Sequence, residues 1–194
     1  MAEIDEYYKT DDLALSLIIA GMREIENHGL ADFSLRRVAG ICGVSCAAPY
    51  RHFKNKGELI LAIISYVNSQ WELLEEQIIA SFEGDVKRIL TELCIANIRF
   101  WAANPNFRHI MLMDSGELDE SQKKEQARVY SKTRALIAEF CRENGIGKIG
   151  EESRALLARS TVLGTAHMLG SGELENAPET FDIIRACFEN IFSK

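Results

Sequence analysis

The sequence predicts an all-α fold of about nine helices. Three observations carry that prediction. Apolar residues recur at three- and four-residue spacing almost throughout, no segment alternates with period two for long enough to make a strand, and 194 residues contain only three prolines. The hydrophobic fraction of 47% is that of an ordinary globular protein. No run of about 18 apolar residues is present, so no membrane span is expected. The opening "MAEIDEYYKT" lacks the basic head and apolar run of a signal peptide, which points to a cytoplasmic protein.

The first helix is expected over about 11–28, with Ala14, Ile18, Met22 and Ile25 on one face, Thr10 or Asp11 as cap and Gly29 as stop. Ser34 caps a short second helix with Leu35, Val38 and Cys42 inward. Gly43 ends it in a tight turn that favours positive φ. Ser45 then caps a third short helix reaching about His52. "NKGE" opens the fourth, with Asn55 and Glu58 in the reciprocal capping arrangement. Ile60, Ile64, Val67, Trp71, Leu74 and Ile78 make one stripe along this helix, about 25 residues or roughly 37 Å long. A fifth helix spans about 85–103, aligning Ile89, Leu93, Ala96 and Phe100, until "NPNF" breaks it. A short apolar sixth follows. Asp119 and Gln122 can cap a seventh to about Asn144, with Val129, Thr133, Leu136 and Phe140 aligned. The eighth spans about 151–169 and the ninth about 178–192.

Several chemistries are excluded. "GIGKIG" (145–150) matches the dinucleotide fingerprint in letters, but it follows a helix and no sheet is present, so it reads as a helix stop and turn. No histidine has a Glu three positions before it, as a di-iron bundle requires. There is no Gly-x-Ser-x-Gly elbow and no His-Glu-x-x-His, so no catalytic residue and no cofactor is expected. Five scattered cysteines suggest reduced thiols. Cys42 and Cys46 with His52 offer only three local ligands, so no metal is assigned.

The chain carries a net charge of −7, yet Ser34 to Lys56 contains five Lys and Arg and no Asp or Glu. Two short helices joined by a Gly turn, the second capped by Ser, form the helix-turn-helix pattern. Leu35, Val38, Val44 and Phe53 would close its core. Small residues at the start of the third helix would let the backbone approach a DNA major groove. Arg51 and Arg36 can reach base edges, while Tyr50, His52 and Lys56 can bond phosphates. The helix N-termini at Ser34 and Asn55 add positive dipole ends.

"FSLRRVAGICGVSCAAPYRHFKNKGELILAI", preceded by "ALSLIIAGMREIENHGL", resembles the DNA-binding domain of the tetracycline-repressor (TetR) family over about residues 11–66. Gly29, Leu35, Val38-Ala39, Gly43-Val44-Ser45, Tyr50, His52-Phe53, Lys56 and Leu59 fall in register together. The resemblance implies a mostly repressing, dimeric regulator whose C-terminal helices bind a small molecule. By position it makes Arg36, Cys46, Ala48 and Arg51 base-facing and Tyr50, His52 and Lys56 phosphate contacts. Ser34, Arg37 and Ser45 complete the expected DNA-binding set. Pro49 departs from the pattern: it deletes a backbone bond and is expected to push Ala48 away from helical φ/ψ. Gly57 weakens the start of the fourth helix.

The expected division is a DNA-binding domain over 1–56, with the start of the linking helix to about 66, and a sensing and dimerisation domain over 57–194. Dimerisation is expected through Leu157, Thr161, Gly164, Met168, Phe181, Ile184, Phe188 and Ile191 of the last two helices. Phe100, Trp101, Phe107, His109, Met111, Met113 and His167 are the candidate pocket for a small hydrophobic or aromatic effector. The expected partners are a double-stranded DNA operator, that effector and a second copy of the chain. The alternative is a helical small-molecule or partner-binding protein that has lost DNA binding.

Overall fold

The computed structural model describes residues 13–112 and 116–193, with the side chain of His109 left aside; the predicted caps Thr10 and Asp11 and the pocket candidate Met113 fall outside them. Among the described residues there are nine α-helices, one 3-10 turn and no strand. No described helix is long and apolar enough to cross a membrane. The chain divides into two compact units, one of residues 1–69 and 106–127, the other of 70–105 and 128–194.

In the first unit α1 (Leu13–His28) packs on α2 (Leu35–Ile41) and on the first half of α3 (Lys56–Ser81). The buried stripe of α1 is Leu17, Ala20, Gly21, Glu24 and Ile25, with Met22 beside it. This shifts the predicted face, because Ala14 and Ile18 stay half-buried. The shift has a steric cause. A Cβ on Gly21 would lie 2.6 Å from Cδ1 of Ile63, so the missing side chain lets the two helices approach there. Leu59, Ile60, Ile63, Ile64 and Val67 form the matching buried face of α3. The predicted cap of α3 is present: the Glu58 amide donates to Asn55 Oδ1 at 3.0 Å, and Glu58 reaches back to the Lys54 amide at 2.7 Å. α5 (Pro105–Met111) and α6 (Glu120–Arg128) complete the unit. Asp119 and Gln122 cap α6 reciprocally, each amide donating to the other's side chain at 2.9 Å, and Gln122 Nε2 donates to the Gly57 carbonyl.

The second unit is organised around α4 (Val86–Ala103), which packs against α7 (Ser131–Glu143), α8 (Lys148–Ser171) and α9 (Pro178–Ile191). Asp85 caps α4 through the Arg88 amide. Ile89, Leu90, Leu93, Cys94, Ile95, Ile98 and Trp101 are buried around most of its circumference, as a central helix requires. The predicted aligned residues Ala96 and Phe100 are only half-buried.

The predicted seventh helix is two, broken at Val129 and Tyr130. No Gly or Pro marks the break. Val129 is buried, and Tyr130 lies 4.2 Å under the Arg159 guanidinium, so tertiary contacts take over the two residues. Gly145 has φ 65 and ends α7, with the Ile146 amide donating to the Cys141 carbonyl at 2.8 Å; in "GIGKIG" the first half is a helix stop and turn, and Lys148 to Gly150 already form the first turn of α8.

Candidate nucleic-acid interface

Ser34 is extended, and its hydroxyl accepts from the Arg37 amide at 3.4 Å, which starts α2. Gly43 (φ 67) stops it: the Gly43 amide donates to the Gly40 carbonyl at 3.1 Å and the Val44 amide to the Ala39 carbonyl at 3.0 Å. That pair of bonds is the Schellman arrangement.

The third helix predicted over 45–52 is instead a 3-10 turn, Pro49–Arg51. In an α-helix the Ser45 carbonyl would accept from the amide of residue 49, which proline lacks. It accepts from the Ala48 amide at 2.9 Å, and the next bonds, Arg51 to Ala48 and His52 to Pro49, also span three residues. Ala48 nevertheless keeps helical angles (φ −61, ψ −44), against the expected effect of the following proline. The 3-10 pitch accommodates the ring, and Pro49 is itself buried.

The predicted contact residues separate into two groups. Arg36, Ser45, Cys46, Tyr50, Arg51 and His52 are exposed, Tyr50 by 57%, so Tyr50 is not a core residue. Among the described residues neither Arg36 nor Arg51 forms an ion pair. Lys54, not among the predicted contacts, is also exposed and pairs only loosely with Glu58 at 3.5 Å. The other predicted residues are engaged or recessed. Ser34 is spent on its cap and Ala48 is half-buried. The Lys56 ammonium donates to the Leu30 carbonyl at 2.6 Å and sits over the Phe33 ring. Arg37 turns back onto Glu24, Nε donating to Oε1 at 2.6 Å, and also donates to the Asp32 carbonyl.

Glu24 is the residue that sequence reading missed. Its side chain is 1% exposed, and it gathers Arg37, His28 Nδ1 at 3.4 Å and the Ser34 amide at 3.2 Å. The hydrogen bond with Glu24 raises the already high Arg37 pKa. Glu24 thus fixes the N-terminus of α2 and with it the direction of Arg36. The available signal was its spacing, one turn on from Ala20 and two from Leu17 in the apolar stripe of α1. Glu24→Gln keeps the acceptor but removes the charge, and is expected to cost about 1–2 kcal/mol, read as a fall in thermal midpoint.

The predicted pocket residues that are described fall in both units. Trp101 is buried and donates its indole N–H to Asn97, while Phe100 meets Trp71 and Trp101 at 5.6 and 4.9 Å. Phe107 belongs to the first unit, edge-on to Tyr66, and Met111 is buried there. His167 is exposed on α8, because that helix buries Ala158, Val162, Thr165 and Ala166 instead. A cavity of about 80 Å³ lies elsewhere in the second unit, between α4, α7 and α8, lined by Leu93, Cys94, Asn97, Tyr130, Ile137 and Arg159 among others. None of the predicted pocket residues lines it.

Of the residues expected at the dimer interface, Ile184 and Phe188 face the unit's own core, Phe188 stacked on Phe192. Thr161, Met168, Phe181 and Ile191 are half-buried. Leu157 and Gly164 are exposed, as are Leu156, Ile183 and Cys187 beside them. Among the described residues no three His, Cys, Asp or Glu side chains group closely enough to hold a metal, and the five cysteines are free.

Residues 17–63 match the family model of bacterial regulatory proteins, tetR family. No curated protein matches the chain. Among solved structures, a TetR family transcription regulator from Marinobacter aquaeolei VT8 superposes with a TM-score of 0.75 at 15% identity, over 98% of both chains. The fatty acid degradation regulator FadR from Bacillus halodurans matches with a TM-score of 0.71 at 14% identity, over 95% of this chain and 97% of its own. FadR from Bacillus subtilis, solved in complex with stearoyl-CoA, matches with a TM-score of 0.71 at 15% identity, over 92% and 97%. The helix-turn-helix segment belongs to the tetR family of bacterial regulatory proteins, and the chain as a whole has the fold of a TetR-family transcription regulator.

Proposed function

We propose that the chain is a ligand-responsive transcriptional regulator, a repressor that binds a near-palindromic DNA operator as a homodimer and is released by a small hydrophobic or aromatic molecule. The observation that carries the reading is the pair Arg36 and Arg51, both exposed and without a carboxylate partner among the described residues, on the two elements joined at Gly43. Residues 1–56 would be the DNA-binding domain and 57–194 the sensing and dimerisation domain. Tyr50, His52 and Lys54 flank the arginines as phosphate contacts, which position the unit without reading sequence.

A second copy is supported by the apolar surface left open on α8 and α9. Leu156, Leu157 and Ile183 are 67, 49 and 68% exposed, and Gly164 on α8 is exposed as well. Large apolar side chains left exposed on two packed helices suit an interface, and a two-fold axis lets the same surface serve both copies. Such a dimer would present its recognition elements about 34–36 Å apart, one turn of DNA. The B. subtilis neighbour holds stearoyl-CoA, which supports small-molecule sensing by this fold without assigning that ligand here. An effector that weakens operator binding must itself be bound more weakly, by the same factor, when operator is present.

The test is fluorescence anisotropy on DNA upstream of the chain's own gene, across a salt series. Affinity should fall steeply with salt, in proportion to the phosphates contacted. Leu157→Glu with Ile183→Asp should yield monomers by light scattering and lose operator affinity. A second reading, a helical small-molecule or partner-binding protein without DNA affinity, draws on the 3-10 turn in place of a recognition helix. Absence of any anisotropy change on the DNA at low salt would favour it.

A further inference from the structure

The cavity in the second unit has a chemical polarity that narrows its occupant. Its inner wall is apolar, made by Leu93, Cys94, Ile137, Ala158 and Val162. Burial pushes the Cys94 thiol up to about 12, so the sulfur is a neutral part of that wall. The polar groups of its lining are Asn97, Tyr130, Thr133, Arg134 and Arg159, and none of them carries a negative charge. Asn97 has its oxygen taken by the Trp101 indole, which leaves the amide hydrogens. The Tyr130 hydroxyl is buried without a hydrogen bond of good geometry, and burial raises its pKa, so it stays protonated at neutral pH. The Arg159 guanidinium lies 4.2 Å over the Tyr130 ring and has no ion pair among the described residues. Arg134, the other arginine of the lining, is already held by both Glu152 oxygens at 2.8 Å.

We propose that this cavity is the effector site and that its ligand is a small monocarboxylic acid. Its apolar body would rest on Leu93, Ile137 and Val162, and its carboxylate would be held by Arg159 and Tyr130. The inference rests on the reading of the chain as a ligand-responsive regulator. The Arg159 guanidinium and the Asn97 amide group donate only, and the Tyr130 and Thr133 hydroxyls can turn to donate, so the lining favours an acceptor-only head, and a carboxylate supplies it with charge. The size selects a short body. A water needs about 10–15 Å³ of such space, so the cavity of about 80 Å³ admits roughly half a dozen non-hydrogen atoms. That suits a short branched chain or a single ring. An acyl chain as long as that of stearoyl-CoA would not fit.

Calorimetric titration of the full chain with butyrate, isovalerate and benzoate, against the uncharged benzamide, tests the assignment. At least one acid should bind, and where benzoate binds, benzamide should bind at least about tenfold more weakly. Arg159→Gln, an exposed change that leaves the core intact, should weaken the acid by about tenfold or more. Val162→Phe should fill the cavity and remove binding; Ala158→Val does the same with less crowding if the first variant fails to fold by circular dichroism. No heat and no thermal shift with any of the acids, equal affinity for benzoate and benzamide, or an unchanged Arg159→Gln variant would each overturn the proposal. Operator binding measured in parallel separates the two readings. Acid binding without DNA binding leaves the cavity assignment standing and sinks the regulator, and DNA binding without acid binding does the reverse.

Discussion

Replacing Arg36 and Arg51 together by Glu is expected to weaken operator binding by more than a hundredfold while leaving the helical spectrum and the thermal midpoint essentially unchanged. The two side chains are exposed and make no ion pair among the described residues, so the fold does not lean on them. An arginine lost from a base edge costs about 1–3 kcal/mol of binding, and a glutamate placed against phosphates adds repulsion. Repulsion matters unusually here, because the chain already carries a net charge of −7. The salt dependence should flatten in the variant, since fewer counterions are released on binding. Lys56→Glu is a poorer probe. Its ammonium holds the Leu30 carbonyl and covers the Phe33 ring, so an affinity loss there would mix a lost contact with a disturbed turn. An operator affinity that survives the Arg36 and Arg51 reversal would remove the DNA-binding role from this surface.

The legible parts of the fold share one property: their cause is local. Gly43 and Gly145 adopt the positive φ expected of helix stops, and Asn55 with Glu58 and Asp119 with Gln122 form the caps their spacing announces. The Ile60 to Trp71 stripe on α3 is buried as the period requires. What failed depends on contacts distant in sequence. The break at Val129 and Tyr130 has no Gly or Pro to announce it; there Val129 is buried and the Tyr130 ring lies under Arg159 of another helix. The pocket candidates were an aromatic and Met cluster contiguous in sequence, but Phe100 and Phe107 belong to different units. The cavity is lined by ordinary core residues whose shape alone leaves a gap. Ile184 and Phe188 carry the same apolar period whether they face their own core or a partner, so spacing could not separate the two. Pro49 was half legible. Its missing amide dictates the irregular turn, but the 3-10 geometry that lets Ala48 keep helical angles is a compromise visible only in three dimensions.

Glu75 should make stability fall as pH rises from 4.5 to 7, and Glu75→Gln should abolish that slope. The carboxyl is 2% exposed on the second half of α3, and burial raises its pKa from the ordinary 4.5 to about 7. The Glu72 charge adds to the rise. Lys132, at 3.7 Å, and the Trp71 indole pull the other way without winning, because Lys132 is shared with Glu76 at 3.1 Å. The sign follows from proton counting. Between pH 4.5 and 7 the folded chain keeps this proton and the unfolded chain does not, so the stabilisation is whole below 4.5 and is lost as pH passes through about 7. The interval corresponds to about 3 kcal/mol, an upper figure because Lys132 can follow the carboxylate as it ionises. Glutamine has nearly the same shape and no charge in either state. Urea denaturation at pH 4.5, 6, 7 and 8 should therefore show the variant gaining on the parent by roughly 2–3 kcal/mol across the series, most of it before pH 7.5. Lys132→Met should extend the parent's loss of stability to higher pH, since it removes a cation that favours the ionised form. Parallel profiles for parent and Glu75→Gln would mean that the carboxylate is ionised and satisfied in the folded chain throughout, and that its burial costs nothing at neutral pH.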